Sequence, residues 1–460
     1  MDVSAFRLEA LMMFRRAMWL APALLLAPLL LAPLLLAARP AAAGPNDILI
    51  GLDQKVTSGP RGLVNGAPGK DEVLVMDVTV PAKPAIRARL PLMNSLLGPP
   101  TNLQITPDGK TGLIANSVLN TPDADGFKVS PDDRLFVVDL SVTPPKLTDT
   151  VTVGKQPSGM AISHKGDLAL VANRAGKSVS VLSIAGGKVS VVGEVAVDQE
   201  ASAVAITPDG KRAFVALNTV NRIGVLAIRG QTVTYLKPLD IPVAFNPYNI
   251  DITPNGKFAI VSTTGAGRYH SDELAVIEVD PAGPTAVVVT LKMAQPGKAS
   301  LAGVPSDTVT ERLALPSETF AEKPAATSEP ISVPRVVQLL APGTGPEAFA
   351  ISPDGKWVAA ALLQGSAMTA TPIEWFKTKE GELVLMSLDP KTGELTVRSR
   401  APVGLLPDAI AFSPDSDFIY VGDFADSDLR VFRTSGGLLK QAGQAIKLGG
   451  QPASMRGLPH

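Results

Sequence analysis

An all-β chain built from one repeated unit is what this sequence predicts, on three observations. Among 460 residues there are 40 glycines and 41 prolines, too much punctuation for a helical protein but suited to short strands joined by turns. Apolar residues make up 45% and charged residues 18%, which supplies a packed interior and excludes disorder of the whole chain. The third observation is internal repetition. Ile105-Thr106-Pro107-Asp108-Gly109-Lys110 followed by Leu113-Ile114-Ala115-Asn116 returns at Ile162-Ser163-His164-Lys165-Gly166, Ile206-Thr207-Pro208-Asp209-Gly210-Lys211 and Ile252-Thr253-Pro254-Asn255-Gly256-Lys257. It returns again at Ile351-Ser352-Pro353-Asp354-Gly355-Lys356 and Phe412-Ser413-Pro414-Asp415-Ser416.

Each copy is an apolar strand, a tight turn and a second apolar strand. Proline presets φ and glycine accepts positive φ, so the turn closes a hairpin. Third strands follow at Ser178 to Ile184, Ile223 to Ile228, Leu274 to Val279, Leu383 to Leu388 and Leu429 to Phe432, and fourth strands at Val189 to Val197 and Leu395 to Ala401. Four-stranded antiparallel units repeating at about 45–60 residues predict a β-propeller. The ends supply a seventh unit. Gly450-Gln451-Pro452-Ala453-Ser454-Met455 repeats the start of an innermost strand and then the chain stops, while Ile48 to Leu52 and Val73 to Val78 lack an inner partner. The expected fold is therefore a seven-bladed β-propeller of four-stranded antiparallel blades, its ring closed by strands from both termini so that no sheet edge is left exposed.

Val171-Ala172-Asn173-Arg174-Ala175-Gly176-Lys177-Ser178-Val179-Ser180-Val181-Leu182 resembles the repeat of YVTN-type seven-bladed propellers. The Ser/Thr-Pro-Asp-Gly-Lys turns resemble those of the same group and of its lactonase-like relatives. The resemblance covers nearly all of the chain after the leader. It implies the fold, and lactone hydrolysis as in some relatives, while the repeats themselves are structural.

Residues 1–43 read as a secretion signal peptide. Arg15 and Arg16 precede a Leu/Ala-rich run from Ala17 to Ala38, and Ala41-Ala42-Ala43 offers a cleavage site before Gly44. Uncleaved, the run is long enough to anchor the chain in a bilayer. The expected location is periplasmic or secreted, and residues 44–460 form a single propeller domain. Between the turns at Asn255 and Asp354 the sequence from Met293 to Pro334 is rich in Ala, Pro, Ser, Thr and Glu, and reads as an inserted, loop-like arm at about 293–334 rather than another blade.

No cysteine is present, which removes disulfides, thiolate zinc, iron–sulfur clusters and thiol nucleophiles, and three histidines are too few for a multi-histidine metal centre. Net charge is −1, so general nucleic-acid binding is not expected. No cofactor is expected, although the acidic runs Asp123 to Gly126 and Asp423 to Asp428 have oxygen density suited to calcium.

The turns are uniform, whereas the connections between second and third strands vary. Those at Asp53 to Asp71, Ser117 to Asp133, Thr263 to Glu273 and Gln364 to Gly381 are long and irregular, which makes their face the candidate site. Arg268 and His270 are candidates for an anion clamp and a general base. Asn102, Glu200, Asn249, Glu347 and Asp408 stand beside the starts of innermost strands and are expected to ring the channel mouth. Trp375 is a candidate aromatic platform. Alanine precedes the turn by two positions at Ala161, Ala205, Ala350 and Ala411, and Gln104, Asp251 and Arg456 replace it elsewhere. Gln104 and Arg456 are expected to touch where the ring closes.

The function expected first is that of an exported binding or interaction propeller, expected as a monomer, presenting the loop-rich face to a protein partner or a small molecule. The alternative is a lactonase-like hydrolase acting on a sugar lactone, with Arg268, His270, Glu347 and Asp408 as its catalytic parts and Asn102, Glu200, Asn249 and Trp375 holding ligand. A further alternative is a propeller subunit of a periplasmic redox system. No Gly-x-Ser-x-Gly motif supports a serine nucleophile.

Overall fold

The computed structural model describes residues 46–59, 62–94, 100–124, 126–264, 272–282, 285–292, 309–314, 331–364, 366 and 380–459. The expected leader, Arg268, His270 and Trp375 lie outside them.

Seven antiparallel sheets form the ring. From channel to rim, blade 1 is Pro452–Arg456, Asp47–Leu52, Glu72–Asp77 and Ala85–Pro91. Blade 2 is Leu103–Ile105, Thr111–Asp123, Gly126–Asp139 and Lys146–Thr152. Blade 3 runs Pro157–Ile162, Leu168–Asn173, Ser178–Ala185 and Lys188–Ala196. Blade 4 runs Ala201–Ile206, Arg212–Leu217, Arg222–Arg229 and Thr232–Tyr235. Blade 5 takes Pro247–Ile252, Phe258–Thr263, Leu274–Glu278 and, after a long insertion, Arg335–Leu340. Blade 6 is Ala348–Ile351, Trp357–Leu362, Glu382–Leu388 and Leu395–Pro402. Blade 7 is Pro407–Phe412, Phe418–Asp423, Asp428–Ser435 and Leu438–Gln441.

Each inner strand packs against the inner strands of both neighbours, so the ring is continuous. The closure is as expected: the C-terminal strand pairs antiparallel with the first strand, Ile50 opposite Met455 and Leu49 opposite Arg456.

The recurring turns explain the scaffold. In blade 4, Thr207 Oγ1 donates to Asp209 Oδ1 at 2.6 Å and accepts from the Arg212 amide at 3.1 Å, while Asp209 Oδ1 accepts from the Lys211 amide at 3.0 Å. Gly210 takes φ +69°, open to glycine without the clash an L side chain meets there. The turns also nest: a Cβ on Gly256 would stand 3.2 Å from Pro208 Cδ of the preceding blade. Between blades the sheet faces bury continuous apolar clusters. Ala203, Phe214 and Val225 of blade 4 meet Ile250, Val261 and Ile277 of blade 5. At about 25 cal/mol per Å² of apolar surface, each such fully buried large side chain contributes about 1.5–3 kcal/mol.

Two connections expected to be irregular carry ordered hairpins. Strands Thr111–Asp123 and Gly126–Asp139 stay paired up to Asp123 opposite Gly126, and the blade 1 connection holds a hairpin of Val56–Gly59 with Gly62–Asn65. On the return arm Phe127, Lys128, Val129 and Ser130 alternate apolar and polar, a pattern that suits a strand continuing past the blade. Asn120 Nδ2 joins the two hairpins by donating to the backbone oxygens of Lys55 (2.9 Å) and Gly66 (3.1 Å). The insertion of blade 5 also contains pairing that its composition did not announce: Thr285–Lys292 pairs with Val309–Ala314 and with Ile331–Ser332. Thr285–Lys292 is β-branched along most of its length, which favours a strand.

The expected contact between Gln104 and Arg456 does not form. Gln104 Nε2 donates to the backbone oxygen of Met160 at 2.8 Å, whereas Arg456 Nη1 reaches across the channel to Asp251 Oδ2 at 3.0 Å. Charge decides the outcome: of the three side chains that interrupt the alanine ring, two are opposite ions, and an ion pair outweighs a neutral amide contact.

Candidate functional site

The loop-side end of the channel is built by a repeated backbone device. A residue with positive φ, such as Gln156 (+58°), Asn246 (+54°), Gly345 (+68°) or Leu406 (+54°), precedes a proline at or just before the start of the inner strand. Register then shifts within the next residues, at Pro157/Met160, Ala201/Val204, Pro247/Asn249 and Pro407/Ala409. Such bulges re-aim side chains. The residue after the proline, or after Ala201 in blade 4, is Thr101, Ser158, Ser202, Tyr248, Glu347, Asp408 and Ala453 in ring order from blade 2 back to blade 1. Blades 6 and 7 alone place carboxylates at this position.

Asp408 is 3% exposed and its Oδ1 has no hydrogen-bond partner. Burial pushes its carboxyl well above the usual range, and the charges of Glu347 and Asp53 push in the same direction. Glu347 is half-buried. Burial moves its carboxyl up to about 7, with Arg174 pulling it down and Asp272 pushing it up. Asp272 braces the backbone leading to Glu347: its Oδ2 accepts from the Gly345 amide at 2.8 Å, and burial raises its own carboxyl against that bond. Arg174 lies 3.8 Å from Glu200 through Nε and stacks over Tyr248, 5.8 Å from the ring centre.

Behind Asp408 stands a buried ion cluster. Lys55 is fully buried, with Nζ bound to Asp71 Oδ2 and the Asn94 backbone oxygen and 3.2 Å from Asp53 Oδ1. In blade 7, Asp423 is pushed up to about 8, chiefly by burial and against the pull of Arg430, whose Nε lies 3.0 Å away. Thr101 Oγ1, Ser158 Oγ, Ser454 Oγ and Asn249 Nδ2, all in or just before the first residues of inner strands, are buried without a hydrogen-bond partner. Such atoms are rare in a folded interior, and their gathering here marks this end of the channel as the polar one.

Of the residues expected at the mouth, Glu347 and Asp408 occupy the same position in adjacent blades and act on one another electrostatically. Glu200 is brought to them through Arg174. Asn102 Nδ2 donates to the Ala115 backbone oxygen at 3.3 Å and Asn249 Oδ1 accepts from the Ile250 amide at 2.9 Å, so both tie backbone. The acidic run of blade 7 is spent on bracing: Asp426 Oδ2 accepts from the Leu405 amide at 2.8 Å and Asp428 Oδ2 pairs with Lys447 Nζ at 3.0 Å. Among the described residues no group of three or more histidines or acids is arranged to hold a metal ion. Sequence reasoning missed Lys55 and Arg174. Acids at both ends of the first long connection, Asp53 and Asp71, were the available signal for a cation between them. Arg174 was hidden inside a motif that reads as structural.

Lactonase-like seven-bladed propellers are the class of fold this chain resembles. The sequence matches no protein-family model and no curated protein. Among solved structures, the Pseudomonas aeruginosa periplasmic gluconolactonase PpgL is similar, with a TM-score of 0.57 and 18% identity over 89% of this chain and 98% of that one. A putative 6-phosphogluconolactonase from Bacteroides uniformis aligns with a TM-score of 0.56 and 17% identity, again over 89% and 98%. A functionally unknown protein from Desulfotomaculum acetoxidans gives 0.57 at 12% identity over the same shares. At these identities the likeness is one of fold.

Proposed function

We propose that the loop-side mouth binds a small hydroxylated ligand and hydrolyses a sugar lactone. The observation that carries this reading is the placement of Glu347 at the loop-side start of an inner strand, where burial raises its carboxyl to about 7 against the pull of the Arg174 cation. A base titrating near the working pH abstracts a proton from water without being wholly protonated or wholly unreactive. Glu347 would take the proton of a water attacking the lactone carbonyl, and Arg174 would stabilise the oxyanion that forms. The pull of Glu200 and the Tyr248 ring hold the guanidinium in place. The names of the similar solved structures, gluconolactonase and 6-phosphogluconolactonase, agree with this substrate class. The test is a panel of sugar lactones with protein beginning at Gly44, beside Glu347→Gln. Turnover that the variant loses while keeping its thermal unfolding supports the reading, and turnover equal to wild type contradicts it.

Binding without turnover, whether of a small molecule or a protein, is the second reading. It is favoured by the joined hairpins of blades 1 and 2, which offer a rigid surface beyond the blades. A ligand retained by both wild type and Glu347→Gln with no product would select it. Export to the periplasm or beyond rests on residues 1–43, and N-terminal sequencing of the protein from its host tests it.

A further inference from the structure

We propose that Asp408 is the acid partner of Glu347, a protonated carboxyl that delivers its proton to the ring oxygen as the lactone opens. This rests on the hydrolytic reading above. The two carboxyls hold the same position in blades 6 and 7, whose inner strands pack together. Asp408 is the deeper of the two, with Oδ1 free of any protein hydrogen bond and no ion pair to a described cation. The charges acting on it are acidic or already neutralised: Glu347 from blade 6, and Asp53 from blade 1, where Lys55 is divided between Asp53 and Asp71. Glu347, by contrast, faces the Arg174 cation as well as Asp272. The pair then shares one proton, and burial together with the Glu347 charge, both raising the Asp408 carboxyl, assigns it to Asp408.

The chemistry balances. Water adds to the acyl carbon as Glu347 takes one of its protons, giving a tetrahedral oxyanion. Collapse breaks the bond between the acyl carbon and the ring oxygen, and that oxygen takes the Asp408 proton. Glu347 then passes its proton to the Asp408 carboxylate, which restores the pair. One lactone and one water yield one hydroxy acid.

The experiment compares wild type with Asp408→Asn on a sugar lactone and on dihydrocoumarin, whose phenolic leaving group needs little protonation. The expected result is a loss of about 10²-fold on the sugar lactone, little loss on dihydrocoumarin, and a pH–rate profile that keeps its acid limb but no longer falls on the alkaline side. Equal losses on both substrates, or an unchanged alkaline limb, overturn the proposal. Infrared spectra separate it from the hydrolytic reading. A protonated-carboxyl band at pH 7 that loses one component in Asp408→Asn, beside the Asp423 component that both proteins keep, supports the pair even if no lactone is turned over, which would sink hydrolysis alone. Absence of that lost component from wild type sinks the pair. Should Asp408→Asn not fold, the pH dependence of stability serves. A raised carboxyl makes the native state hold more protons than the unfolded one, so stability falls as pH rises from about 4 through the native titration. In Glu347→Gln that fall must shrink toward the part carried by Asp423, and an unchanged fall contradicts the pair.

Discussion

The two ends of the central channel are made from the same seven strands and have opposite chemistry. At the turn side, Ala161, Ala205, Ala350 and Ala411 line a cavity of about 140 Å³, and the charges present, Asp251 and Arg456, neutralise one another across the channel at 3.0 Å. His164 and the C-terminal residues Gly457, Leu458 and Pro459 line the same cavity. At the loop side, Asp408 Oδ1 has no hydrogen-bond partner and Glu347 has Arg174 as the cation acting on it, while other unpartnered buried polar atoms gather near the starts of the inner strands. The strands enter the ring at a proline and a bulge and leave it at a regular hairpin. Irregular backbone re-aims side chains into the channel, while regular backbone packs alanines against one another. Function is expected where the repeat is broken by charge that the fold does not neutralise.

That contrast can be broken experimentally. The largest expected effect is at Lys55. Lys55→Met leaves Asp53 and Asp71 buried without their cation, a loss of about 3–5 kcal/mol, read by chemical denaturation; a loss below about 1 kcal/mol would show that the cluster is far more solvated than its burial implies. Next is Glu347→Gln, with hydrolysis reduced about 10²–10⁴-fold and the unfolding midpoint unchanged. Smaller still is Arg456→Met at the other end. Its pair is part-exposed, so about 1–2 kcal/mol of stability should be lost, less than for a fully buried pair, with turnover intact. Gly210→Ala, at φ +69° on the turn side, should cost about 1 kcal/mol and leave activity alone.

The fold was legible because its determinants are local and repeated. Thr207-Pro208-Asp209-Gly210 specifies its turn within one hairpin, and six such copies count the blades. The closing pair of strands was legible because each terminus lacked the partner that the other supplied. The site was legible only in part. Glu347 and Asp408 could be found because they follow the prolines that start inner strands. The Asp251–Arg456 bridge joins residues 205 apart in sequence, so which of three exceptional side chains meet depends on ring geometry that no local pattern encodes. Lys55 was missed for the same reason: Asp71 follows a hairpin that the connection's composition did not reveal, and Asn94 arrives from beyond the outer strand of blade 1.

The central claim is that the loop-side carboxyls do chemistry and the turn-side ions hold the ring. It is tested most directly by measuring sugar-lactone turnover in Glu347→Gln and in the double variant Asp251→Asn/Arg456→Met, with the unfolding midpoint of each. Turnover lost in the first with its midpoint kept, and midpoint lowered in the second with turnover kept, is the predicted result. Turnover lost in the double variant and kept in Glu347→Gln would place the chemistry at the opposite end of the channel and contradict the account.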